Sequence, residues 1–312
     1  MQFRVNIRIH KNMRSFIRRI EYANTMEERH MKKLLTIALA VLMTAGLFVS
    51  CSKEAGGPAV KVIEINLTDE EYAFGVDKNQ PELLASVNEI IAAIMADGTF
   101  DTICNNYFGD GTPAAVTSAA LDASKDQLVV ATNAAFEPFE YTSGDSYYGI
   151  DMEIAKVIAD KLGKELVIAN MDFDAVCLSV GQQKADIAMA GLTVRPDREE
   201  YVAFTDSYYN AAQKLIVKAD DTTFDACKTA ADVEAILNTK DSSTVIGVQT
   251  GTTGQFYVEG DADWGFAGFP VTCTGYKNGS LAVQDLINGN IQYVVIDSAP
   301  AACITAAYNE MN

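Results

Sequence analysis

The chain has 312 residues, of which 24 are Lys or Arg and 42 are Asp or Glu, for a formal charge of −18. The balance is uneven: residues 1–50 carry nine basic and three acidic residues, and residues 51–312 carry 15 and 39. A body this acidic excludes nucleic acid as a partner, and a hydrophobic share of 49% excludes a disordered acidic chain, which leaves an exported globular protein.

In chain order the first signal starts at Met31. Met31-Lys32-Lys33 opens an uncharged, mainly apolar run from Leu34 to Val49, closed by Ser50-Cys51. A short positive head, a 16-residue apolar core and a small residue before the break are the parts of a secretory signal. As a helix this run rises only about 24 Å, short of the roughly 30 Å hydrocarbon core, so a signal peptide over 31–50 is expected rather than a membrane span. Phe48-Val49-Ser50-Cys51 resembles the lipobox of bacterial lipoproteins, and the resemblance implies that Cys51 is acylated and heads the mature chain. Residues 51–59 then form a polar tether that holds the domain off the membrane face, the only membrane contact expected. Residues 1–30 read as a start assigned too early, with Met31 the initiator, or as a long n-region. Both histidines, His10 and His30, lie there, so His-based triads, zinc sites and acid–base chemistry are excluded from the expected mature chain.

Cys104, Cys177, Cys227, Cys273 and Cys303 are too far apart for zinc or iron–sulfur spacing, and no cofactor is expected. They fit either dispersed buried thiols or one to two bridges.

Val60–Asn66 alternates as a strand, and Glu71–Val76 is a second. Leu83–Met95 places apolar residues at 83, 84, 87, 90, 91, 94 and 95, the stripe of an amphipathic helix that Asp97-Gly98 ends. A short helix follows to Phe108, and 109–126, rich in small residues, reads as a linker. Leu128–Thr132 is a buried strand, Asp151–Leu162 a helix stopped by Gly163, Glu165–Ala169 a strand and Phe173–Gln182 a helix. Ala185–Ala190, the short helix Pro196–Tyr201 and the strand Gln213–Lys218 complete this half. Thr229–Leu237 is helical, and Thr244–Gln249 is a strand running into Thr250–Gly254 and a helix to Glu259. Gly268–Thr272, Ser280–Asn288, Tyr293–Asp297 and Ala299–Asn309 then read as strand, helix, strand and helix. The alternation predicts an α/β fold of two mostly parallel sheets with helices on both faces.

In such sheets ligands gather beyond the carboxyl ends of the strands. Only Arg195 and Arg198 occur as arginines after residue 50, both at one strand-to-helix junction. A guanidinium fork matches a carboxylate in a bidentate pair; solvated surface charge is the alternative for each. Gly251-Thr252-Thr253-Gly254 is either an anion cradle at a helix start or a plain turn, and it lacks the Lys of a nucleotide loop. Asp297 could meet an ammonium or cap the helix after it.

Several motifs carry a resemblance. Leu128-Val-Val-Ala-Thr-Asn-Ala-Ala-Phe-Glu-Pro-Phe-Glu-Tyr141, Tyr148-Gly-Ile-Asp-Met-Glu-Ile-Ala-Lys156, Asp172-Phe-Asp-Ala175, Lys184-Ala-Asp-Ile-Ala-Met-Ala-Gly-Leu-Thr-Val-Arg-Pro-Asp-Arg198, Val202-Ala-Phe-Thr-Asp-Ser-Tyr-Tyr209 and Ile246-Gly-Val-Gln-Thr-Gly-Thr-Thr253 follow in order. Together they resemble the bacterial solute-binding proteins of polar amino-acid ABC transporters. The resemblance implies a two-lobed, periplasmic-binding-protein-like fold of type II, a non-enzymatic monomer that hands a free amino acid to a permease. Glu71-Tyr-Ala-Phe-Gly-Val-Asp-Lys78 and the block through Gly109 close the chain in that family and open it here, so a circular permutation joined through 109–127 is expected. Lobe 2 is then 60–67 with 219–312, lobe 1 is 68–218, and crossings near 68–71 and 215–218 form the hinge.

By the same resemblance Arg198 clamps the substrate carboxylate, with Thr253 and the Gly251 region on the facing lobe, and Asp297 receives the ammonium. Ala190, Gly191 and Thr193 form the ligand loop, two of them standing where the family has serines. Phe136 and Phe173 sandwich the side chain. Asn133 and Gln249, with Glu137, Glu140 and Tyr141, are candidates for side-chain selection; the neutral Asn133 favours a neutral or polar amino acid, and Glu137 with the acidic surface leaves a cationic one open. Arg195, where the family often has Thr, is a rim or ligand residue. A ligand-sensing module, or a dehydratase using Glu137 or Glu140, are the readings from other classes.

Overall fold

Period-two runs and 3.6-residue stripes become two five-stranded sheets with flanking helices in a computed structural model whose described residues are 57–311. The leader, the signal at 31–50, Cys51 and most of the tether lie outside the described residues. The strands are β1 Val60–Ile63, β2 Glu70–Tyr72, β3 Gly75–Asp77, β4 Gln127–Thr132, β5 Ala135–Phe136, β6 Glu140–Ser143, β7 Ser146–Tyr148 and β8 Glu165–Asn170. After them come β9 Ile187–Ala188, β10 Val202–Phe204, β11 Tyr209–Ala211, β12 Gln213–Lys218, β13 Val245–Gln249, β14 Thr272–Tyr276 and β15 Tyr293–Asp297. One sheet has the order β10-β3-β9-β4-β8 and the other β1-β12-β15-β13-β14. Both are mixed: the parallel pairs are β9–β4–β8 and β15–β13–β14, and the remaining neighbours are antiparallel. The antiparallel strands flank the two passages between sheets, where the chain returns without a crossover helix.

Those passages differ from the sequence reading. The period-two run at 71–76 is two strands, because β2 leaves for a two-stranded ribbon with β11 and β3 enters the first sheet. β12 is not the exit strand of lobe 1; it pairs with β1 and β15 inside the second sheet. The second passage is therefore at β11, ahead of the expected 215–218, and the β2–β11 ribbon joins the halves. β14 lies past the expected 268–272, since Pro270 removes a ladder donor and the pairing with β13 begins at Thr272.

Helix boundaries follow local chemistry. Pro81 opens the helix Pro81–Ala96 at a position whose N–H has no helical partner, and Val87, Ile90, Ile91 and Ile94 are its buried stripe. Helix Ile150–Leu162 stops at Gly163, which adopts the left-handed region at φ 70° and returns its N–H to Ala159 and Asp160. Gly149, at φ 124°, lies so close to the Phe139 carbonyl that a Cβ would stand 2.0 Å from its oxygen. The 109–126 segment is laid along the first half rather than looped out. Val116 exchanges backbone hydrogen bonds with Tyr147, Ala119 N–H donates to Leu166, and Ser118 Oγ accepts from Ile168 N–H. All five cysteines among the described residues are free thiols, Cys177 being the buried one.

The two ends of the described chain are tied together. Asn309, near the end of the helix Ser298–Glu310, accepts from the N–H groups of Ala59 and Val60 at 2.8 and 3.2 Å and donates to the Val60 carbonyl at 2.9 Å. Asn309→Ala leaves these backbone groups without that partner and is expected to lower stability by about 1–2 kcal/mol, read as a shift in the urea midpoint at unchanged slope; an unchanged midpoint would show that water replaces the side chain.

Candidate functional site

The ends of β4, β9, β13 and β15 converge on one narrow cavity. Phe136, Phe173, Gly191, Thr193 and Arg198 line it from the side of the first sheet, and Gln249, Thr252, Thr253 and Asp297 from the second. Of the residues singled out in the sequence, Ala190, Gly251 and Asn133 are absent from this lining. Ala190 is fully buried. The Gly251 N–H is taken by Gln255 Oε1 at 2.8 Å, so this turn offers no free amide there for an anion; its carbonyl instead accepts from Arg198. Asn133 accepts from Gln249 Nε2 at 3.1 Å and donates to the Met171 carbonyl at 2.6 Å. Glu137 and Tyr141 border a separate, more open cleft with Cys303.

Arg198 and Asp297 are 6% and 5% exposed. The Arg198 guanidinium donates to the carbonyls of Thr193 at 2.8 Å and Gly251 at 3.2 Å and lies 5.2 Å from the Phe173 ring. Among the described residues no carboxylate forms an ion pair with it, and no Lys or Arg forms one with Asp297. The Asp297 side chain makes no capping bond to the helix that follows; its Oδ1 accepts from Tyr72 OH at 2.5 Å. Burial, followed by the nearby charge of Glu70, pushes the Asp297 carboxyl up to about 7 against the Tyr72 hydrogen bond. Isolated buried charges are costly unless something of opposite sign approaches. The cavity thus has on its walls one buried cation and one buried carboxyl, neither with an ion-pair partner among the described residues.

Gly191 explains a departure from the family's serines. Its φ is +52°, and a Cβ there would stand 2.8 Å from the Phe136 ring, so the missing side chain lets that ring close on the loop. Its N–H donates to Asp151 Oδ2 at 2.9 Å, and Tyr208 OH holds Asp151 Oδ1 at 2.6 Å. Burial pushes the Asp151 carboxyl up to about 7, and burial together with the Asp151 charge pushes that of fully buried Glu140 well above its ordinary range.

Glu70, Tyr72, Asp151 and Tyr208 were not picked out as site residues, although all four lie within or beside motifs that carry the resemblance. Arg195 does not line the cavity. It is 2% exposed, with its guanidinium carbon 4.0 Å from the Phe256 ring and 4.9 Å from that of Trp264. It donates to Asp197 at 2.8 Å and, across the cleft, to Asp261 at 3.1 Å. Arg195 therefore fastens the Val194–Arg198 turn of one half to the Phe256–Trp264 region of the other. Trp264 is the sole tryptophan of the sequence, which makes this contact optically visible. Arg195→Ala is expected to red-shift the emission and increase acrylamide quenching, and to shift the thermal midpoint down by a few degrees through loss of cation–π and ion-pair contacts; an unchanged spectrum would mean the guanidinium does not shield the ring in solution.

The chain is similar to several known proteins. The arginine-binding extracellular protein ArtP of Bacillus subtilis (strain 168) is 34% identical over 104 residues, 33% of this chain and 41% of its own. ABC transporter arginine-binding protein 1 of Escherichia coli (strain K12) is 27% identical over 175 residues, 56% of this chain and 64% of its own. The chain thus spans less than two thirds of the length of these two curated relatives. The solved structure of holo ArgBP from T. maritima superposes with a TM-score of 0.50 at 32% identity, over 60% of this chain and 77% of that one. Residues 128–298, more than half of the sequence, match the bacterial extracellular solute-binding proteins, family 3, and with Arg195, Arg198 and Asp297 inside that span, the chain belongs to this family.

Proposed function

We propose that the protein captures a free amino acid between its two halves and delivers it to an ABC transporter permease. The observation that carries this reading is the pair of unmatched buried charges, Arg198 and Asp297, facing one small cavity with aromatic walls. A zwitterion supplies a carboxylate for the guanidinium and an ammonium for the carboxylate, and Phe136 and Phe173 give its side chain rigid apolar faces. The side-chain end is neutral: Gln249 Oε1 is buried without a partner among the described residues, so a side chain that donates a hydrogen bond fits best. That favours a polar, uncharged amino acid, although the relatives above are named for arginine.

The reading is of a binding protein rather than an enzyme. Glu140, one of the two acids that a dehydratase could use, is fully buried off the cavity lining, where burial and then the Asp151 charge push its carboxyl well above its ordinary range. Cys51 as a lipid anchor, a monomeric state and a circular permutation belong to the same proposal. The permutation is supported by Asn309, which holds the chain ends within hydrogen-bond reach, and by the laid-down 109–126 segment. Lobe 1 would be 68–212 and lobe 2 would be 60–67 with 213–312, hinged at the β2–β11 ribbon.

A thermal-shift panel of the twenty L-amino acids tests the reading first, since a bound ligand stabilises by mass action; a flat panel would end it. Arg198→Ala, and Arg198→Lys with its single point charge, are expected to abolish calorimetric binding while the far-ultraviolet circular dichroism is retained. The pH dependence follows from Asp297. Its carboxyl ionises near 7, and proton and ammonium compete for the same oxygens, so affinity is expected to fall as pH drops below about 7, approaching about ten-fold per unit. Calorimetry between pH 5 and 8 reads this slope, and a flat profile would remove Asp297 from the amine end.

A further inference from the structure

We infer that Glu70, a residue off the cavity wall, sets the amine end of the site for a cation by fixing the Thr193 hydroxyl and adding a second buried negative charge beside Asp297. The inference rests on the amino-acid reading above. Glu70 is 2% exposed and stands on β2, in the ribbon between the halves. Its Oε2 accepts from Thr193 Oγ1 at 2.7 Å, and its Oε1 accepts from Thr68 Oγ1 at 2.6 Å and Gln213 Nε2 at 3.0 Å. No Lys or Arg forms an ion pair with it among the described residues.

The direction of these bonds matters. A hydroxyl has one proton and two lone pairs. Thr193 spends its proton on Glu70, so both lone pairs turn away from Glu70; Thr253 Oγ1 approaches one of them at 3.3 Å. On the cavity wall Thr193 can therefore only accept. Asp297 is in a parallel position, with Oδ1 held by Tyr72 OH and the Gln213 side chain also donating to its carboxyl. Two acceptors backed by two carboxylates suit an ammonium and repel a carboxylate. The same arrangement tells the two ends of a zwitterion apart, since Thr193 and Asp297 offer the cavity acceptors and the Arg198 guanidinium, on the Thr193 side, offers only donors.

The groups around Asp297 and Glu70 are all of one sign or neutral apart from Arg198 across the cavity. Tyr72, Tyr209 and Glu140 feel or exert the Asp297 charge, and Gln213 lies beside it in the β12–β15 register. The negative charge of Glu70 is thus not cancelled locally. It works against ionisation of Asp297, and it also attracts any cation that replaces the proton there. Glu70 acts through Thr193 and through this field, which makes it a positioning residue.

Glu70→Gln keeps the shape and removes the charge. Calorimetry on the full-length protein would compare each L-amino acid that raises the melting temperature with its des-amino acid, in which hydrogen replaces the ammonium. For the variant at pH 8, amino-acid affinity is expected to fall about ten-fold or more, with little change for the des-amino acid, so discrimination shrinks by the same factor. The pH midpoint of amino-acid binding is expected to move to lower pH, because Asp297 ionises more easily without its neighbour. Glu70→Asp, which keeps the charge, should recover part of the discrimination. A Glu70→Gln protein with wild-type discrimination and an unmoved midpoint overturns the inference while leaving the amino-acid reading intact. A wild type that binds no amino acid overturns both, and a uniform loss for both ligand types would reduce Glu70 to a fold residue.

Discussion

Arg198 and Asp297 constrain everything around them, because each is a buried charge with no opposite charge from the chain within ion-pair distance among the described residues. A folded chain tolerates such groups when the surrounding dipoles hold them and when a ligand completes the pairing. Two carbonyls hold the guanidinium and a phenol holds the carboxylate. Those contacts orient the groups without neutralising them. The charges come from different halves, so in the proposed function a ligand that satisfies both would also hold the halves together, and binding would be coupled to closure.

Closure has its own contacts beyond the cavity. Arg195 enters a slot made by Phe256, Trp264 and Asp261 of the other half, and Gln249 reaches Asn133 across the cleft. The β2–β11 ribbon is short, with three residues in each strand, and it is the only place where both passages between the sheets run side by side among the described residues. A narrow ribbon bends more easily than either packed sheet, so in the proposed two-lobed binding protein opening would concentrate there. Glu70 and Tyr72 sit on the same ribbon, with side chains on Thr193 in one half and on Gln213 and Asp297 in the other. The proposed hinge would thereby also be wired to the site.

Much of this was legible in the sequence, and the gaps have physical causes. The helices at 81–96 and 150–162 announce themselves through buried stripes and a stop at glycine. Arg198 stood out because arginine is scarce, and Asp297 because it ends an apolar strand. β14 was misplaced because it is an edge strand, Thr-Cys-Thr-Gly-Tyr, whose half-exposed residues lack an apolar run. β12 reads identically whether it ends one sheet or sits inside the next; only its partners β1 and β15 decide. The pairing of Tyr72 with Asp297 spans 225 positions and that of Arg195 with Asp261 spans 66. Neither carries a local pattern, so Arg195 looked like a ligand or rim residue although its partners lie in the opposite half.

The proposed permutation leaves the site untouched for a reason visible in the strand register. Gln213 pairs with Asp297 at the site end of β12, and Lys218 pairs with Val60 at its other end. Five residues of strand separate these points, about 17 Å at the usual rise. The chain ends meet at Val60 and Asn309, on the side of the sheet away from the cavity. The joining segment likewise delivers the chain to Gln127, the start of β4, whereas the site is built at its finish, beyond Thr132. Cut and joint thus both fall at strand ends opposite the ligand side, where backbone can be rerouted without moving a wall residue.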